Sequence, residues 1–158
     1  VEIWSRAIYA IQDFAFTGMG MNTFRHIVHV LYPLYTVSPD VPVKDIGHAH
    51  NEFLQSALDL GIPGMIAFIG LNILAFWMLF SIIKILQRKS HRPISSQSFL
   101  TREFYFAISL GLIGGLFAHF LFGITDAIAL GAKPGVLFWI LLSLTTSIFM
   151  KTQKKDFP

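Results

Sequence analysis

The chain has 158 residues, of which 54% are hydrophobic and 13% charged, with 16 Phe, no Cys and a formal net charge of +3. Such a composition is too apolar for a water-soluble domain and fits an integral membrane protein. The missing thiols exclude disulfides, Cys nucleophiles and Cys-based metal sites. The basic residues lie in short segments beside apolar runs, so they read as topology signals rather than as a nucleic-acid surface.

The sequence begins with Val and shows no signal peptide, and it reads as the C-terminal part of a longer multi-span protein. Residues 1–16 predict an amphipathic helix. Glu2, Ser5, Arg6, Tyr9, Gln12 and Asp13 make one polar stripe; Ile3, Ala7, Ala10, Ile11 and Phe14 make the opposite face. Thr17-Gly18-Met19-Gly20 breaks it. A second short helix is expected over 21–31, capped by Asn22 or Thr23 and carrying Arg25, His26 and His29. Pro33, Pro39 and Pro42 then exclude a continuous helix. A short helix follows over 50–60, with Glu52, Gln55, Ser56 and Asp59 as its polar stripe, Gly61 as its C-terminal cap and Pro63 opening the next helix.

Two apolar segments, 64–86 and 104–125, are long enough to cross a bilayer at 1.5 Å per residue, and 135–150 is a third, somewhat short span. In the second, Gly111, Gly114, Gly115 and Gly123 would allow close helix contact. Lys84, Arg88, Lys89, Arg92 and Arg102 cluster in the 84–102 loop, and Lys151, Lys154 and Lys155 in the 151–158 tail. The positive-inside rule puts both in the cytoplasm, and residues 1–61 on the external side. The expected fold is therefore all-α: a multi-span membrane protein with three C-terminal spans in 62–158, preceded by a helical external loop region that holds the chemistry.

His50 is the first candidate for that chemistry, because a near-neutral imidazole can take a proton from a hydroxyl. Taken alone, His50-Asn51 reads first as the cap of helix 50–60. His48 and His50 form H-x-H, which invites a metal reading with Glu52, His26, His29 or Asp45, but no fixed spacing supports a set of three or more ligands. Arg6 and Arg25 are the only arginines in 1–61, with Lys44 a third cation. Arginine is the natural bidentate partner of a phosphate, whereas Arg6 paired with Glu2 and Arg25 on a solvated face are the bland alternatives. Glu52 and Asp59 read as a solvated stripe. His119 lies within a span, and Asp126 at its outer end is expected to interact with Lys133.

His50-Asn51, nine residues, and then Gly61-Ile62-Pro63-Gly64 resembles the His-Asn-x9-Gly-x-x-Gly signature of the O-antigen ligase and polymerase superfamily. The run from Ile3-Trp4-Ser5-Arg6 through Thr17-Gly18-Met19-Gly20-Met21-Asn22-Thr23-Phe24 is similar to the segment that opens that family's large external loop. His119, Gly123-Ile124-Thr125-Asp126 and the last span resemble its final two spans. Ala10 and Met65 stand where ligases of the family carry Leu and Thr, so the likeness is to the superfamily rather than to one subtype.

The resemblance implies a glycosyltransferase of the bacterial cytoplasmic membrane, active on its outer face. It would move a glycan from an undecaprenyl-diphosphate carrier to a hydroxyl on a lipid A core sugar, another glycan or a protein. It implies a metal-independent reaction with no cofactor, His50 as the base on the acceptor hydroxyl and Arg6 on the diphosphate, with Arg25, Asn51, Glu52 and His48 as substrate-binding candidates. Repeat-unit polymerase and protein O-oligosaccharyltransferase are alternatives of the same chemistry. A non-catalytic glycan-lipid transporter or membrane scaffold is the alternative from another class.

Overall fold

A computed structural model of the chain describes residues 2–33, 46–89, 96–127 and 133–154. Among them every regular element is a helix: α1 (Glu2–Asp13), α2 (Thr23–Leu31), α3 (Glu52–Lys89), α4 (Ser96–Thr125) and α5 (Lys133–Thr152). The all-α expectation holds. Pro39, Pro42, Lys44, Asp45, Arg92 and the end of the tail lie outside the described residues, as do the side chains of Lys89 and Lys133. Glu52–Arg88, Ser96–Thr125 and Gly135–Thr152 are long and apolar enough to cross a membrane. The stretch of α3 before Gly61 is the short helix expected over 50–60, set off from the span by a kink at that glycine; the spans otherwise run past the expected 64–86, 104–125 and 135–150 by continuing into adjoining polar residues.

The chain divides into two compact units, Val1–Gly70 with Leu121–Ile128, and Leu71–Phe120 with Ala129–Pro158. In the first, Ala7 and Ala10 of α1, Phe24 and Val28 of α2, Ile46 and Ala49 of the segment before α3, and Leu58 of α3 bury one core, with Ile3, Ile11, Met19, Tyr32 and Leu54 packed against it. The apolar face of α1 is therefore the one expected from its periodicity. At the end of α2 the Tyr32 hydroxyl donates to Asp13 Oδ2 at 2.6 Å, tying α2 to the end of α1. Burial, the bond to Asp13 and the charge of that carboxylate push the Tyr32 phenol up to about 12, so it remains a donor at neutral pH. Asn22 precedes α2 in the left-handed region (φ 62°), and its side chain makes no capping bond. Its amide nitrogen lies 3.3 Å from His26 Nε2 instead.

The two glycine motifs form one joint. α3 is broken at Gly61, which has φ 76° and ψ 177°, a conformation essentially reserved for glycine. In an unbroken helix the Ile62 N–H would bond to Leu58 O, and the residue at 63 to Asp59 O. Pro63 has no N–H to give. Ile62 N–H donates instead to Ala15 O at 2.7 Å, while the freed carbonyls of Leu58 and Asp59 accept from Met19 N–H (2.6 Å) and Gly20 N–H (3.2 Å). The backbones approach too closely for any side chain: a Cβ on Gly61 would meet Phe16 O at 2.5 Å, and one on Gly18 (φ 65°) would meet Gly61 N at 2.5 Å. Gly61→Ala and Gly18→Ala combine a disfavoured φ with a backbone clash. Each is expected to destabilise the protein by about 3 kcal/mol or more. Thermal unfolding in detergent measures this, and a wild-type melting temperature for either variant would refute the joint.

In the second unit, Leu79, Ile82 and Leu86 of α3, Leu112 and Leu116 of α4 and Phe138 of α5 are buried. His119 stacks on Phe138 with ring centroids 4.7 Å apart, and Trp77 meets Phe149 at 5.4 Å. The Gly expectation for α4 needs correcting. Gly111 and Gly114 face open space, and Gly115 makes ordinary contact with Leu141. Only at Gly123, in the first unit, is the approach tight, where a Cβ would lie 3.0 Å from Glu52 Cβ. Many large apolar side chains on the spans, Ile66, Ile73, Trp77, Phe117 and Ile140 among them, point outward, as suits a lipid solvent.

Candidate active site

His50 is held by its neighbours on both sides. Ala49 is fully buried, and its N–H donates to Gln55 Oε1 at 3.0 Å. Gln55 Nε2 donates to Asp59 Oδ1 at 2.9 Å, which holds the amide in place. Asn51 Oδ1 accepts the Leu54 N–H at 3.0 Å, the N-cap geometry for a helix starting at Glu52. Asn51 Nδ2 also donates to Ile124 O at 3.0 Å, anchoring the start of α3 to the end of α4. Between these anchors His50 takes a left-handed φ of 50°, uncommon for a residue with a Cβ. The cap reading of the His-Asn pair is thus right for Asn51. It does not account for His50, whose ring is turned to another partner.

That partner is Asp126. His50 Nδ1 lies 3.1 Å and His48 Nδ1 3.5 Å from Asp126 Oδ1, and the two rings sit 4.3 Å apart. Burial pushes the Asp126 carboxyl up. The Ala127 N–H, the His50 bond and the imidazole charges outweigh it, leaving the carboxyl below its ordinary value and ionised at neutral pH. Burial first, and then the charge of His50, hold His48 below the ordinary imidazole value against the pull of Asp126. A neutral His48 fits its other contact, since its Nδ1 accepts the His50 backbone N–H at 3.3 Å. An ionised Asp126 favours the His50 tautomer with the proton on Nδ1. The free lone pair is then on Nε2, on a side chain 51% exposed.

Arg6 is the second feature. It was expected on the polar stripe of α1, yet it is only 5% exposed. It borders the buried Ala7 and lies one turn before Ala10, so the packed face of α1 is wider than the apolar residues alone predict. Its Nε, Nη1 and Nη2 are all buried without a hydrogen-bond partner among the described residues. Burial lowers the Arg6 guanidinium below its ordinary value, with Glu2 opposing; an arginine stays charged nonetheless. A buried, unsatisfied guanidinium is costly, and its five donors form a rigid fork suited to an oxyanion.

The other expected residues fall differently. Glu52, read as part of a solvated stripe, is 4% exposed and packs against Gly123. His48 joins His50 and Asp126. Asn51 already uses its carbonyl and one amide hydrogen structurally. Arg25 is exposed on α2, and His26 pairs with Asn22. Asp126 meets the two histidines, which the sequence did not indicate; the expected contact with the Lys133 side chain lies outside the described residues. Periodicity links residues within one helix, so no local pattern could join Asp126 to a loop 76 positions earlier.

Neither the curated proteins nor the solved structures provide a significant match to the chain. Residues 1–69 match the family model described as O-Antigen ligase. That stretch contains Arg6, His48, His50, the Gly18–Gly61 joint and the start of α3, and over it this membrane protein is similar to the O-antigen ligase family.

Proposed function

We propose that the protein transfers a glycan from an undecaprenyl-diphosphate carrier to an acceptor hydroxyl at the outer face of the cytoplasmic membrane, in the assembly of cell-surface polysaccharide. The observation that carries this reading is the His50–Asp126 pair, which leaves an exposed imidazole nitrogen free to accept a proton. His50 Nε2 takes the proton of the acceptor hydroxyl as its oxygen attacks the anomeric carbon. The bond from that carbon to the diphosphate oxygen breaks, and the diphosphate leaves on its lipid. Asp126 orients the imidazole and stabilises the imidazolium. Arg6 binds the diphosphate, whose growing charge meets a preorganised fork of donors. The step needs no metal. A lipid-borne donor also accounts for a site beside the start of an apolar span.

The acceptor class distinguishes ligase, repeat-unit polymerase and protein O-oligosaccharyltransferase, which share this chemistry. The test is to incubate purified protein with a donor labelled in its glycan and with each acceptor class in turn. A new glycosidic bond to one of them is expected. Donor movement across vesicles without any new bond would favour a transporter and overturn the proposal.

A further inference from the structure

We propose that His48, His50 and Asp126 also form a binding site for a divalent transition-metal ion of the zinc class, and that its occupation silences the base. The three groups each offer one ligand atom, and these atoms all lie within 4.8 Å of one another. The two Nδ1···Oδ1 separations, 3.1 and 3.5 Å, bracket the spacing of ligands on a tetrahedral ion. With metal bonds of about 2.0–2.1 Å, neighbouring ligands on such an ion are about 3.3 Å apart. Two imidazoles and one carboxylate make a donor set that suits zinc, whereas magnesium and calcium prefer oxygen ligands throughout. Three protein ligands leave a fourth position for water. The side chains are 36%, 51% and 37% exposed, so an ion can reach them from solvent.

The loop brings these atoms together without requiring a metal, because each has a present use. His48 Nδ1 is already a lone pair, accepting the His50 N–H, and Asp126 Oδ1 accepts the His50 bond. The His48 lone pair turns from the His50 N–H to the ion, and His50 changes tautomer. Its Nδ1 proton is replaced by the ion and, through solvent, a proton settles on Nε2. The imidazole stays neutral and no net proton is released. Nε2, proposed above as the base, then carries a hydrogen and has no lone pair to offer. The ion is an inhibitor here, so the proposal is compatible with metal-independent transfer. Silencing rests on His50 being the base; binding does not.

The test uses the whole chain in detergent, freed of metal by chelation and titrated with Zn²⁺ in a calorimeter. Wild type is expected to bind one equivalent that His48→Ala and Asp126→Ala each weaken by at least ~100-fold, since loss of an outer-shell partner alone costs up to about that much. His26→Ala, a histidine outside the cluster, should bind as wild type does. Co²⁺ added to wild type should give the intense visible bands of a tetrahedral site, a readout that needs no variant to fold. Absence of binding, binding unmoved by His48→Ala and Asp126→Ala, or a weak octahedral Co²⁺ spectrum would each overturn the site. Zn²⁺ should also abolish glycan transfer, with recovery on chelation. Binding without inhibition would overturn the silencing and place the base elsewhere, while transfer without binding would leave the proposed function standing and remove the metal.

Discussion

His50→Ala is expected to lower glycan transfer by about 10²- to 10⁴-fold, the range that a positioned general base supplies. The loss should appear in turnover at saturating donor, because the base acts in the transition state and not on the resting lipid. Stability should change little, since the ring is half exposed and its one side-chain bond is to a carboxylate that is itself partly solvated. Asp126→Asn tests the same pair from the other side. An amide can hold the ring in the wrong tautomer, with the proton on Nε2, and so remove the base while leaving His50 in place. A fall of about 10-fold or more is expected, smaller than for His50→Ala because the ring can turn back in an open site. Transfer rates for both variants, at matched folded yield, decide the matter. Wild-type turnover by His50→Ala would remove His50 from the chemistry.

Arg6→Met is expected to move activity and stability in opposite directions. All three guanidinium nitrogens are buried without hydrogen-bond partners among the described residues, an arrangement that costs stability for as long as no anion is bound. A methionine fills much the same volume with no charge to desolvate. The unfolding free energy should therefore rise by about 1 to 3 kcal/mol. Transfer should fall by about 10²- to 10³-fold, because the leaving diphosphate loses a preorganised fork of donors. Arg6→Lys keeps the charge but not the fork, and should also lose most activity. If Arg6 were merely structural, Arg6→Met would leave turnover unchanged. If the guanidinium were satisfied, the variant would be less stable than wild type.

Much of this architecture is legible in the sequence because it is written locally. Uncharged runs long enough to cross the bilayer announce the spans, the alternation along residues 2–14 announces α1, and Asn51 announces the start of α3. The burial of Arg6 and Glu52 is not legible in the same way. Both occupy polar positions of a helical repeat, and only tertiary contact turns those positions inward. The glycine motifs are visible as turn signals, but their mutual contact is not, because Gly18 and Gly61 meet backbone to backbone and leave no side-chain pattern. The role of Asp126 is the largest omission. It follows a span and precedes a short turn, where a nearby lysine is the obvious partner. The Asn51–Ile124 bond and the close pass of Gly123 by Glu52 bring it to His50.

The proposed transfer is a direct attack by a hydroxyl that His50 activates, with the diphosphate departing from the opposite face of the sugar. The configuration of the new glycosidic bond tests this most directly. Donor of known anomeric configuration is incubated with purified protein and acceptor, and the anomeric coupling of the product is read by nuclear magnetic resonance. Single displacement predicts inversion at the anomeric carbon; retention would require a covalent glycosyl intermediate on the protein and would contradict the account.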